Sequence, residues 1–162
     1  MKQKKDELLR AVWKGQDDAY DLMIEYEGIL HHYGEYILYQ SEGVVIDLIA
    51  ANPGITCSDI AKMTNKTVSA CSQIIRKLRE RDWVRQIRNE KNNRKYNLEV
   101  TETGRRICEE RESFTNICQD RMFRMLSSFT EEELENHIRI QNMINEAYKE
   151  DIRQSLNEAE EK

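Results

Sequence analysis

Apolar residues recur at helical spacing along most of this chain. Between residues 8 and 33 they return every three or four positions, which predicts one long helix, or two helices broken near Gly15. A second helix is expected over residues 42–51, because the Asn-Pro-Gly sequence at 52–54 ends it. The first 51 residues are therefore predicted to form two or three helices.

A short helix, a turn and a longer amphipathic helix are predicted next. Thr56 and Asp59 have the spacing of a capping box that opens the short helix. We interpret Asn65 and Lys66 as the turn, and Thr67 as the cap of a helix over residues 68–81. One stripe of this helix is apolar and is expected to pack inward: Val68, Cys71, Ile74, Ile75 and Leu78.

Two segments of strand character, 83–88 and 95–100, flank a polar, turn-forming stretch at 89–94. They predict a hairpin with a basic tip. A helix is expected from Thr101 to about residue 126, and a second capping box at Thr130 and Glu133 opens a last helix. The predicted fold is mostly α with a minor β component: a winged helix-turn-helix at 38–106, an N-terminal dimerisation helix region at 1–37, and C-terminal dimerisation helices at 107–162.

Charge is concentrated in one part of the chain. The 162 residues carry a net charge of −5, yet residues 62–106 hold thirteen basic and five acidic side chains, a net +8 that leaves −13 elsewhere. Such a module can present a positive face to phosphates while the remaining surface repels nucleic acid. A solvated, salt-bridged surface is the alternative. The overlap of the basic excess with the helix-turn-helix pattern favours nucleic acid.

Composition and spacing argue against several other classes of protein. One proline and six glycines disfavour barrels, collagen and disordered chains. The most apolar run, 44–51, is too short to span a membrane and contains Asp47, and no signal peptide follows the basic N-terminus. Four widely separated cysteines are typical of reduced thiols in a cytoplasm. We expect a cytoplasmic protein without membrane association, metal or cofactor, and no enzyme, because no catalytic motif is found.

The polar face of the second helix carries the candidate DNA contacts. Small and hydrogen-bonding side chains let a helix approach base edges in the major groove, where Gln can pair with adenine and Arg or Lys with guanine. Arg76, Lys77 and Arg79 are expected to contact phosphates instead. The candidates of this helix are Thr67, Ser69, Ala70, Ser72, Gln73, Arg76 and Lys77.

The hairpin supplies a second set of candidates. Arg94 is expected to enter an adjacent minor groove, where a narrow A·T-rich groove has an enhanced negative potential. An ordinary solvated turn is the alternative. The candidates here are Arg88, Lys91, Asn92, Asn93, Arg94 and Lys95.

Three segments resemble the winged helix-turn-helix of the MarR (multiple antibiotic resistance regulator) family: GITCSDIA at 54–61, IIRKLRERDWV at 74–84, and the stretch from Arg88 to the Thr-Glu-Thr-Gly sequence at 101–104. The resemblance covers about residues 38–108. It implies a dimeric, ligand- or redox-responsive transcriptional regulator, usually a repressor, on palindromic promoter DNA. The family's wing commonly has an acidic residue two positions before its arginine; here Asn92 stands there and Arg94 keeps the arginine.

A second copy of the chain is one expected partner. The terminal helices carry too many apolar residues for solvated tails, and packing within one chain is the alternative to a dimer. The expected contributors are Trp13, Tyr20, Ile138, Ile144 and Tyr148.

An effector is the other expected partner. The resemblance implies a small aromatic or phenolic ligand between the dimerisation helices and the DNA-binding lobe, with His32, Tyr33, Tyr36 and Tyr39 as candidate lining or, alternatively, core residues. Cys57 in the first turn of a helix is expected to have a lowered pKa, which makes redox sensing a further alternative. A winged-helix module that docks on protein without contacting DNA bases is the alternative function.

Overall fold

The computed structural model describes residues 2–88 and 96–160. The elements in these ranges are, in chain order, α1 (Lys2–Gly28), β1 (Leu30–Tyr33), β2 (Tyr36–Tyr39), α2 (Gln40–Ala51), α3 (Cys57–Thr64), α4 (Val68–Glu80), β3 (Val84–Arg88), β4 (Tyr96–Val100), α5 (Glu102–Leu126) and α6 (Glu131–Glu160). Within the described ranges, no helix has a stretch long and apolar enough to cross a bilayer. The mostly helical, winged helix-turn-helix fold expected from the sequence is confirmed.

The chain divides into two compact units, Met1–Thr115 and Asn116–Lys162. This division reflects which residues pack together and does not test where functions begin or end along the chain. The functional boundaries at 37/38 and 106/107 therefore stay predictions.

The N-terminal region differs from the sequence prediction. α1 continues through Gly15 without a break but ends at Gly28, so its predicted extension to residue 33 is wrong. Instead, β1 and β2 form an antiparallel hairpin in which Tyr33 pairs with Tyr36. Gly34 begins the two-residue loop with a φ of 57°, a left-handed conformation that favours glycine. A short run of apolar residues does not distinguish helix from strand by spacing alone, which explains the error.

Side-chain caps fix the helix-turn-helix. Thr56 Oγ1 accepts a hydrogen bond from the Asp59 N–H at 3.3 Å, and Asp59 Oδ2 accepts one from the Thr56 N–H at 3.1 Å, which confirms the capping box. Asn65 ends α3 in the left-handed conformation, with a φ of 51°. Thr67 Oγ1 accepts from the Ala70 N–H at 3.1 Å at the start of α4. The predicted turn and second cap are thus confirmed.

The apolar core of the Met1–Thr115 unit surrounds one stripe of α4. Cys71, Ile75 and Leu78 are buried and Ile74 is half-buried, as predicted. Val68 is 52% exposed, so its predicted inward position is wrong. It is the first residue of α4, where no preceding turn of helix lies beneath its side chain. The stripe packs in a core that also contains Leu38, Val45, Ile46, Ile49, Ile60, Val84, Leu98 and Ile107.

The wing strands are joined to the segment before α3. β3 and β4 pair antiparallel, from Val84 opposite Val100 to Arg88 opposite Tyr96. The Leu98 carbonyl accepts from the Gly54 N–H at 3.1 Å, and the Leu98 N–H donates to the Ile55 carbonyl at 2.9 Å. The predicted hairpin is confirmed in these strands, whereas its turn and basic tip at 89–94 lie outside the described residues.

Thr101 and Gly104 join the wing to α5. Thr101 Oγ1 donates to the Asp82 carbonyl at 2.7 Å and accepts from the Gly104 N–H at 3.1 Å. The Thr101 N–H donates to the Trp83 carbonyl at 3.0 Å. A Cβ at Gly104 would overlap this Trp83 carbonyl oxygen. The base of the wing and the first turn of α5 therefore touch through backbone atoms, which requires glycine.

A buried arginine connects α5 to α2. Arg111 is 7% exposed, and its Nε donates to Asp47 Oδ2 at 3.0 Å while Nη1 donates to Gln40 Oε1 at 3.3 Å. Its guanidinium also lies over the Tyr33 ring, 4.7 Å from the centroid. A Cβ at Gly43 would overlap the guanidinium, so the glycine provides the space for this side chain.

The Asn116–Lys162 unit contains the end of α5 and all of α6. The Thr130 N–H donates to Glu133 Oε2 at 2.8 Å, which confirms the second capping box, and this hydrogen bond lowers the pKa of Glu133. Large apolar side chains on these helices are exposed, among them Ile117, Met122, Phe123, Met125, Ile138, Met143 and Ile152.

All four cysteines are free thiols. Burial raises the pKa of Cys57, with a smaller contribution from Cys71, so the expected lowering is wrong because desolvation of the thiolate dominates. Burial raises the pKa of Cys108 to about 12, and the neighbouring Asp47 carboxylate adds to the effect.

Replacing Gly104 with alanine should lower the free energy of unfolding by about 1–3 kcal/mol, because the new methyl group displaces the Trp83 carbonyl. Urea denaturation measures the change. Gly15→Ala is the matched control, since nothing lies within 4 Å of a Cβ there and alanine favours a helix interior. Equal unfolding free energies for Gly104→Ala and the unsubstituted protein would contradict the contact.

Cys108 should resist alkylation in the folded protein at pH values where free thiols react. Its thiolate form becomes abundant only as the pH approaches about 12, and the thiolate is the nucleophile. Iodoacetamide labelling followed by peptide mass spectrometry, from about pH 7 to pH 10, compares it with the urea-unfolded chain, where a thiol pKa of about 8.5 applies. Equal alkylation rates of Cys108 in the folded and the unfolded protein at pH about 9 would contradict the raised pKa.

Candidate nucleic-acid interface

The exposed face of α4 is polar and lies opposite the buried stripe. Ser69, Ser72, Gln73 and Arg76 are exposed. Ser72 and Gln73 lie three and four positions after Ser69, and Arg76 lies four and three positions after them, so the four share one face of the helix. The structure therefore brings these four predicted residues onto one surface. No large apolar side chain stands among them, so a duplex can approach the helix closely.

Two other predicted residues of this helix have structural roles as well. Thr67 is exposed, and its hydroxyl oxygen accepts the capping hydrogen bond from Ala70, which leaves its proton to donate elsewhere. Ala70 is half-buried on the flank of the helix. Both lie at the end of α4 from which a recognition helix contacts bases.

The cations of α4 differ in their local partners. Arg76 Nε lies 3.7 Å from Glu80 Oε1, and both side chains are exposed, so this pair holds the arginine only weakly. Arg79 is exposed. Lys77 Nζ instead lies 4.0 Å from Oε1 of Glu42, whose side chain is buried.

The wing contributes one described candidate. Arg88 is exposed at the end of β3, opposite Tyr96. Below it on the hairpin, Arg85 Nη2 donates to Glu99 Oε2 at 2.8 Å. The candidates Lys91, Asn92, Asn93, Arg94 and Lys95 lie outside the described residues.

The four candidate effector residues lie on the β1–β2 hairpin and do not share a face. Tyr33 is buried and its cross-strand partner Tyr36 is half-buried, whereas His32 and Tyr39 are exposed on the other side. A cleft of about 410 Å³ in the same unit is lined by none of the four; its residues are Asp47, Ala50, Ala51, Cys108, Arg111, Glu112 and Thr115. Among the residues that the structure describes, no cluster of three or more His, Cys, Asp or Glu could hold a metal ion.

The sequence analysis does not predict the pairing of Glu42 with Lys77 and Arg81. The pattern puts Glu42 at the start of one helix and Arg81 at the end of the helix over residues 68–81, and it indicates no contact between them. In the structure, Arg81 Nη1 lies 3.6 Å from Glu42 Oε2. No signal in the sequence marks this pairing, because a glutamate in the first turn of a helix is an ordinary feature and only its burial is exceptional for an unpaired charge.

A family model described as winged helix-turn-helix DNA-binding matches residues 43–85. This stretch contains most of α2, all of α3 and α4, and the first two residues of β3. No protein with a curated description matches the sequence.

Solved structures of several proteins have the same fold. FabT of Streptococcus pneumoniae, in complex with DNA, is 19% identical with a TM-score of 0.61, over 93% of this chain and 99% of that one. ZitR of Lactococcus lactis, a zinc-responsive MarR family member, is 16% identical with a TM-score of 0.73, over 87% and 99%. A G34K mutant of MepR from S. aureus is 21% identical with a TM-score of 0.58, over 88% and 97%. The resemblance drawn from the sequence is thus confirmed at the level of the fold: the chain has the fold of MarR regulators, built around a winged helix-turn-helix of the DNA-binding type.

Proposed function

We propose that this protein is a sequence-specific regulator of transcription that binds double-stranded DNA, acting as a homodimeric repressor on a pseudo-palindromic operator. One observation carries the proposal: the capped helix α4 buries an apolar stripe and exposes Ser69, Ser72, Gln73 and Arg76 on one surface. FabT, which shares the fold, was solved in complex with DNA. The excess of basic residues between 62 and 106 supplies the attraction to phosphates.

Within this proposal the exposed side chains have different tasks. Gln73 and Ser69 contact base edges in the major groove, where glutamine pairs with adenine through two hydrogen bonds. Arg76 and Arg79 contact phosphates and set the register of the helix on the duplex. Lys77, the third cation that the sequence assigns to phosphates, lies beside the buried Glu42 carboxylate instead. Arg88 and Arg94 extend the interface along the wing, with Arg94 in the minor groove.

Dimerisation would use the exposed apolar side chains of the terminal helices. Trp13 and Tyr20 on α1 are 64% and 67% exposed, and Ile138 on α6 is 58% exposed. Residues of this size in water favour association, and two-fold symmetry is the usual result. Two recognition helices about 34 Å apart would then contact two half-sites of one operator.

Release by a small aromatic or phenolic effector is part of the proposal. The tyrosines and His32 of the β1–β2 hairpin are its candidate contacts; Tyr33 and Tyr36 share one face of the hairpin, and His32 and Tyr39 share the other. Selecting bound sequences from a random DNA pool, and then screening phenolic compounds for release, tests this part.

Gln73→Ala and Arg94→Ala should have different effects on DNA binding. The glutamine variant should lose about 1–3 kcal/mol of preference at one or two base pairs, because only a base contact is removed. The arginine variant should weaken binding to most sequences and reduce the slope of log affinity against log salt, because a cation near phosphates is lost. Fluorescence anisotropy on the selected operator and on point-mutated operators measures both effects.

Equal loss on all operators from Gln73→Ala would contradict the assignment of this side chain to bases. Absence of salt-sensitive binding to any duplex by the unsubstituted protein would instead favour the protein-docking module. The two results are distinguishable in the same titrations.

Ile138→Asp should dissociate the dimer. A carboxylate forced into an apolar interface without a partner costs about 3 kcal/mol, which raises the dissociation constant of the dimer at least about a hundredfold. Sedimentation velocity over a range of protein concentrations measures it. Asn136→Asp adds the same charge two positions away, at a residue that accepts a hydrogen bond from Arg139 at 2.9 Å, and should leave the dimer intact. A monomeric unsubstituted protein would refute the proposed assembly.

A further inference from the structure

Glu42 is a buried acidic residue in the first turn of α2. Its side chain is 3% exposed, and its Oε2 accepts a hydrogen bond from the Tyr39 N–H at 3.0 Å. Neither the apolar core nor this single hydrogen bond compensates a carboxylate that has lost its water, because a buried charge needs opposite charges nearby. Among the described residues, two cations form ion pairs with Glu42, and both come from α4 and its C-terminal cap.

Lys77 and Arg81 approach the two carboxylate oxygens separately. Lys77 Nζ lies 4.0 Å from Oε1, and Arg81 Nη1 lies 3.6 Å from Oε2. Lys77 is in the last turn of α4 and Arg81 caps its end. Glu42 therefore connects the start of α2 to the end of the helix that we propose contacts DNA.

The two cations are held to different degrees. Arg81 has further partners: its guanidinium lies over the Trp83 ring, 4.8 Å from the centroid, and Nη1 donates to the Ile37 carbonyl at 3.5 Å. Lys77 has a side chain that is 53% exposed and lies on the same exposed side of α4 as Gln73, one turn later. Lys77 is thus the cation that could turn towards a phosphate.

We propose that Glu42 is a positioning residue for DNA binding, which keeps Lys77 away from the phosphate backbone and so limits the contacts that every sequence shares. The proposal rests on the proposed DNA-binding function. If Lys77 turned to a phosphate, Glu42 would remain buried with Arg81 alone, and this cost offsets the gain from the new contact. Arg76 is not restrained in this way, since its partner Glu80 is exposed.

The consequence is a larger ratio of specific to non-specific affinity. Phosphate contacts supply nearly all of the binding to random DNA, whereas base contacts distinguish the operator. If one lysine in each subunit makes no phosphate contact, the affinity for random DNA falls while the base contacts that distinguish the operator are unchanged. Glu42 would act on specificity without touching the DNA.

The test is a cycle of four proteins: the unsubstituted chain, Glu42→Gln, Lys77→Met and the double variant. Glutamine keeps an acceptor for the Tyr39 N–H and removes the charge. Each protein is titrated onto a random-sequence duplex about three helical turns long, between about 50 and 200 mM salt, by fluorescence anisotropy. We expect Glu42→Gln to steepen the log–log salt slope by about 0.9 per subunit and to tighten binding at the lower salt concentration by about threefold per subunit.

Lys77→Met supplies the decisive comparison. In the unsubstituted background it should leave the salt slope unchanged, because Lys77 contacts Glu42 and no phosphate. In the Glu42→Gln background it should abolish the whole steepening. This non-additive pattern is not expected from a role in stability alone.

Two further variants serve as controls. Glu80→Gln also removes one carboxylate from the end of α4, but from an exposed pair, and should leave the slope near that of the unsubstituted protein. Arg76→Met should make the slope shallower, because Arg76 is proposed to contact a phosphate. Thermal unfolding of each variant identifies any loss of folded protein.

Three results would overturn the inference: a shallower slope for Lys77→Met alone, an equal steepening for Glu42→Gln and Glu80→Gln, or an unchanged slope for a folded Glu42→Gln. If Glu42→Gln does not fold, a shallower slope for Lys77→Met still overturns the inference. Failure of the unsubstituted protein to bind any duplex would refute the proposed function itself. If the unsubstituted protein binds, Arg76→Met weakens this binding and Glu42→Gln has no effect, only the role of Glu42 is refuted.

Discussion

The burial of one apolar stripe of α4 determines what the rest of this protein can do. Ile75 and Leu78 are almost fully buried, and each contributes about 1.5–3 kcal/mol by leaving water. With this stripe fixed in the core, the rotation of the helix about its own axis is fixed too. Ser69, Gln73 and Arg76 then face outward because they lie on the other side of the same helix. The polar surface that we propose contacts DNA is therefore a consequence of packing.

Backbone contacts hold the parts around this helix at defined distances. The Trp83 carbonyl accepts from the Thr101 N–H and lies against Gly104, which joins the base of the wing to α5. Leu98 exchanges hydrogen bonds with Gly54 and Ile55, which joins the wing to the segment before α3. These backbone contacts place β3 and β4 against the segment before α3 and against the first turn of α5.

Buried charge adds a second kind of constraint. Arg111 and Glu42 are both nearly inaccessible to water, and each is paired with groups from other elements. Such pairs are costly when incomplete, so they specify which partners must be present more strongly than an apolar contact does. The pairing of Glu42 restrains side chains at the protein surface, because its partners Lys77 and Arg81 lie in the last turn and at the C-terminal cap of α4.

The sequence by itself determined the elements whose causes are local. The caps at Thr56, Thr67 and Thr130, the end of α2 before Pro53 and the amphipathic pattern of α4 each depend on residues within one or two turns, and all are in the structure. Only the tertiary structure decided the β1–β2 hairpin, the raised pKa of Cys57 and the pairing of Glu42 with Lys77. These depend on strand pairing, desolvation and charges brought together from distant positions, which spacing along a chain does not encode.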